Sequence, residues 1–110
     1  MNWLPWTNWL PSEAKLVQLA DRLAATCQDQ VWRLVQHQAL AMSPAEARGY
    51  VRARAGLIVK HTVESELARS QRWQSAGEQL RELTTEQIVR LVAAQVRAVR
   101  PTMRMLRRAA

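Results

Sequence analysis

The chain has 110 residues, with 16 lysines and arginines against 9 aspartates and glutamates, a net charge of +7 and a single cysteine. That length predicts one domain with a modest core, and an apolar share of 48% argues against wholesale disorder. One cysteine excludes an intrachain disulfide, and no run of about 18 apolar residues is present to cross a membrane as a helix.

The first stretch, residues 2–11, reads NWLPWTNWLP. Asn-Trp-Leu-Pro stands twice, and Trp3, Trp6 and Trp9 recur every third residue. No basic segment precedes the apolar residues, and Pro5 and Pro11 interrupt them, so the pattern opposes a secretory signal; the compartment expected is the cytoplasm. An extended, polyproline-like arm over 1–11 sets the three indoles on one side. Exposed together they would be a hydrophobic liability, so the arm needs an apolar surface: the protein's own core near Trp32 or Trp73, a partner chain, or a membrane surface.

Three long amphipathic segments follow, in a composition rich in Ala, Leu, Arg, Glu and Gln, with three glycines and no phenylalanine. This predicts an all-α antiparallel bundle. The first helix spans about 12–42, with Ser12 as N-cap. Its apolar stripe is Leu16, Leu19, Ala20, Leu23, Cys27, Val31, Leu34 and Ala41, flanked by Val17, Ala24, Val35 and Met42. The second spans about 44–74 and opens on Ser43-Pro44-Ala45-Glu46, a capping box with proline at the first helical position. Val51, Ala55, Ile58, Val59, Thr62, Val63 and Leu67 form its stripe. Gly49 and Gly56, seven apart, suggest close approach of another helix.

Gly77 is either a C-cap or a break before a short helix near 78–83. Thr84 as N-cap, Gln87 at N3 and the Leu83–Ile88 staple then start a third helix over 85–108. Its stripe is Ile88, Leu91, Val92, Val96 and Val99. Pro101 should kink this helix, but Met103 and Leu106 resume the stripe in phase, so it continues.

Little here points to catalysis or metal binding. Cys27 lies on an apolar stripe, where cysteine behaves as a small hydrophobe. His61 and Glu64, at i and i+3, could supply two ligands, but the further glutamates a bundle metal site needs are missing. His37, among Gln30, Gln36 and Gln38, marks a polar helix edge. No Gly-rich phosphate loop or nucleophile elbow is present. The expectation is a non-enzymatic protein with no cofactor, no metal and no small-molecule substrate.

Charge is the informative feature. From Gln87 to the C-terminus there are six arginines and no acid, and Arg48, Arg52 and Arg54 form a second cluster. Arginine offers bidentate contacts to carboxylate or phosphate. The leading expectation is association with another chain, as a homo-oligomer or adaptor subunit. Trp3, Trp6 and Trp9 would be hydrophobic anchors, and Arg97, Arg100, Arg104 and Arg107 the charged contacts. Sequence-nonspecific binding of nucleic acid is the alternative, since base-reading residues on the arginine face are scarce. A helix-turn-helix over Gln79–Val92 would have a first helix of only about six residues, short of the usual motif. A membrane surface is the third partner class, suggested by tryptophan beside arginine.

Overall fold

A computed structural model describes residues 13–109, the side chains of 102–105 and 107–109 excepted. Three helices pack on one another: α1 (Glu13–Ala41), α2 (Pro44–Arg69) and α3 (Gly77–Ala109), with a 3-10 segment over Gln71–Ala76 before α3. The all-α bundle read from composition and periodicity is therefore the fold. No described helix is long and apolar enough to cross a membrane. The Trp/Pro arm lies outside the described residues.

The α1–α2 connection follows its sequence signal. Ser43 is extended, its hydroxyl accepts from the Glu46 N–H at 3.3 Å, and Glu46 Oε1 accepts from the Ser43 N–H at 3.2 Å. Two of the N–H groups that a helix start leaves unpaired are thereby satisfied. The tight turn makes α1 and α2 antiparallel. Tyr50 donates to Gln38 at 2.9 Å near the turn, and Arg22 pairs with Glu66 at 3.4 Å near the far end.

The core is built on a step of four residues. The fully buried rows are Cys27, Val31, Val35 and Ala39 on α1; Ala47, Val51, Ala55, Val59 and Val63 on α2; and Leu80, Thr84, Ile88, Val92 and Val96 on α3. Four residues turn a helix by about 400°, so each row winds slowly around its helix. Such rows are the i±4 ridges that interdigitate in the commonest globular helix packing. This corrects the α1 stripe. Leu34 is 40% exposed, Val17 39%, and Ala41 is exposed, while Val35 and Ala39 are buried. A straight stripe follows the average helical period, whereas the real contact line drifts with the ridge.

Four other expectations change between α2 and α3. α2 ends at Arg69, not 74, because Ser70 is extended (φ −141°, ψ 108°) and the next six residues tighten into a 3-10 segment. That segment turns Trp73 into the end of the core, with the Arg72 guanidinium 5.3 Å from its ring centre. Gly77 does not cap α2: it is right-handed, closes the 3-10 segment and is the first residue of α3; a Cβ there would sit 3.1 Å from Leu67 Cδ1.

α3 starts at Gly77, so residues 78–83 are its first turns rather than a separate helix, and no helix-turn-helix forms over 79–92. Thr84, read as an N-cap, is instead wholly buried mid-helix. Leu80 explains this: it is the first member of the α3 row, and burying it outweighs a cap four residues later. α3 also runs through Pro101 to Ala109, but Leu106, expected to resume the apolar stripe there, is 66% exposed.

Gly49 and Gly56 are not close-approach points within this chain. A Cβ on either would meet nothing within 4 Å.

Candidate functional site

Two arginines from each cluster come together on one face. α2 and α3 are antiparallel, and in their register Arg48 and Arg52 of α2 line the same groove as Arg90 and Arg97 of α3. This basic pocket of about 380 Å³ holds four arginines and one glutamate, Glu86, over a floor of Val89 and Ala93. Glu86 pairs with Arg52. That hydrogen bond holds the Glu86 carboxyl below its ordinary value and raises the Arg52 guanidinium. Arg48, Arg90 and Arg97 are exposed and face solvent around the pair.

The groove does not stop there. Arg52 and Glu86 also line a middle section of about 540 Å³, with Gly56 and Val59 on the α2 side and Glu78, Arg81 and Glu82 on the α3 side. Glu78, Arg81 and Glu82 in turn line a third section of about 650 Å³, reached by Glu64 of α2. The three sections share residues and form one trough along the α2–α3 face. Charge reverses along it, from four arginines and one glutamate at one end to three glutamates and one arginine at the other. From Arg48 to Glu64 the trough follows about 24 Å of α2.

The acidic end was not anticipated. Its signal was present: α2 runs from arginines at 48–54 to glutamates at 64 and 66, and α3 from glutamates at 78–86 to arginines at 90–97. Read antiparallel, the like charges coincide. Read helix by helix, they look like mixed solvated faces.

The other candidate residues are distributed differently. Arg97 is in the trough. Arg100 is turned inward: its guanidinium donates to the carbonyl of Met42 and, at 3.4 Å, to that of Ala39. α1 has no basic residue in its last turn, so Arg100 satisfies carbonyls at the negative end of the helix dipole from another helix. Its role is thus at least partly structural. Trp3, Trp6 and Trp9 lie outside the described residues, as do the side chains of Arg104 and Arg107. Trp32 is half-buried against the core.

Among the described residues, no group of three His, Cys, Asp or Glu side chains could hold a metal. His37, His61 and Glu64 are exposed. Cys27 is 2% exposed and its thiol donates to Thr62 Oγ1 at 3.1 Å. Glu66, 9% exposed, is clasped by Arg22 and by Arg69 at 2.8 Å, an arrangement that compensates a buried charge.

Fold and trough together define a class: an all-α three-helix bundle with one charge-polarised face. Comparison with known proteins finds no matching family model, curated protein or solved structure.

Proposed function

We propose that this protein works by associating with another protein chain, its arginine-rich trough end supplying the charged contact. The observation that supports this is the convergence of Arg48, Arg52, Arg90 and Arg97 from two helices on one groove with a single internal counter-ion. Holding so many like charges together repels them mutually, and an acidic surface would relieve that. The rigid helices fix the spacing, which suits carboxylates carried on an ordered partner. Trp3, Trp6 and Trp9, on the segment before α1, would add apolar anchoring.

The arginines also suit phosphate, so nucleic acid is tested alongside. Full-length protein and its Arg48→Glu/Arg90→Glu variant are immobilised and exposed to nuclease-treated extract of the native cells. Both are separately titrated with labelled duplex and single-stranded DNA and RNA. A protein retained at fixed stoichiometry by the parent and lost by the variant supports the proposal. Binding of nucleic acid alone, weakening steeply between about 50 and 200 mM salt, replaces it with the nucleic-acid reading.

A further inference from the structure

The trough carries both halves of an electrostatic interface, and we infer that its partner is a second copy of this chain, laid antiparallel on the first about a twofold axis. This rests on the association reading above and names its partner. In such a pair each surface meets itself reversed. A uniformly basic face would repel its copy, but this one brings arginines at one end over glutamates at the other, twice.

The register follows from the residues. Arg48 and Glu64 lie on α2 on either side of Gly56, at equal separations along the helix. Laying the two troughs antiparallel about an axis level with Gly56 brings the arginine end of each, with Arg48 and Arg90, to the height of the glutamate end of the other, with Glu64 and Glu78. Gly56 is the thinnest point of the α2 wall, with open space where its Cβ would be. Glycine within a helix is unfavourable, and no neighbour among the described residues makes use of it. A second backbone approaching there would use it. Arg52 and Glu86 offset each other near the middle, and the like charges that the axis sets level there, Arg52 and the partner's Lys60, must be outweighed by the contacts at the two ends.

Charged contacts of this exposure are weak and sensitive to salt, so the dimer should be too. Sedimentation velocity on the full chain is expected to give twice the 12.6 kDa chain mass at roughly 50 mM salt and the monomer at roughly 500 mM, where screening is near complete. Arg48→Glu/Arg90→Glu gives the arginine end a net negative charge, with Arg52 and Arg97 retained, and Glu64→Lys/Glu78→Lys gives the glutamate end a net positive one, with Glu82 retained. Each variant alone should be monomeric at low salt, and an equimolar mixture should restore the dimer, because both contacts are then complementary again. Gly56→Leu, in open space, should keep the helical circular dichroism of the parent, melt no lower than the parent at high salt, and lose the dimer.

A monomeric parent at low salt overturns the inference. So does a dimer that survives either charge variant or Gly56→Leu, or a mixture that fails to pair when both variants are folded. A monomeric chain that still retains a different protein through Arg48 and Arg90 would leave the association reading standing and remove self-pairing.

Discussion

Arg100 of α3 reaches across the bundle and donates to the main-chain carbonyl of Met42, where α1 ends. The Met42 N–H closes the last turn of α1 on the Ala39 carbonyl at 3.3 Å, and Arg100 of α3 adds a charged donor to the carbonyls there. Arg100→Ala should therefore destabilise the fold by about 1.5–3 kcal/mol, the range for hydrogen bonds involving a charged group, and lower the melting temperature by several degrees. Arg97→Ala, on an exposed neighbour, should change it by less than about 0.5 kcal/mol. Thermal denaturation of the two variants checks the contrast.

Thr84 predicts a change of opposite sign. Its hydroxyl is buried without a hydrogen-bond partner among the described residues. Thr84→Val keeps the shape and removes the unsatisfied group, which should stabilise the protein by about 1 kcal/mol. A chemical denaturation midpoint that falls on this substitution would show that the hydroxyl has a native partner.

Gly56→Ala isolates the helix-propensity cost of the open glycine. A methyl group there meets nothing within 4 Å, so an increase of up to about 1 kcal/mol is expected at high salt, from the ordinary difference between the two residues in a helix. Gly77→Ala should gain less, because its Cβ would press on the Leu67 Cδ1 methyl at 3.1 Å, which must shift by a few tenths of an ångström. Denaturant titration at high salt measures both.

Acid should weaken the fold through two exposed carboxylates. Ser43 hydrogen bonds hold the Glu46 carboxyl below its usual value of 4.5, and the Arg52 hydrogen bond does the same for Glu86. A group whose folded-state pKa is depressed contributes stability above its unfolded pKa and loses it as pH falls through the folded one. The melting temperature should thus be flat near neutrality and fall below about pH 4.5, where these carboxylates begin to protonate. Glu46→Gln and Glu86→Gln should each flatten that fall, and a slope unchanged in both variants would refute the assignment.

The parts of this architecture legible in the sequence are those carried by local chemistry. Ser43, Pro44 and Glu46 announce the start of α2 because a capping box is complete within four residues. The Thr84–Gln87 pattern has the same form and fails, because Leu80 earlier in the helix has a core to enter. A local motif cannot register that competition. The α1 stripe erred for a related reason: whether Leu34 or Val35 is buried depends on how a neighbouring helix crosses. The trough needed the α2–α3 register, and the inward turn of Arg100 needed the position of the α1–α2 turn, neither of which a single segment encodes.

The polarised trough also bears on how the molecule meets anything in solution. The body measures 65 × 31 × 19 Å, and the sequence holds no acid after Glu86 but six arginines. Separating charge along an elongated body gives it a large electric dipole as well as a net charge. An approaching anionic surface then exerts a torque as well as an attraction, turning the arginine end forward before contact. Collisions that would otherwise be oriented at random are biased towards one pose, and the association rate, more than the final affinity, should carry the imprint of ionic strength.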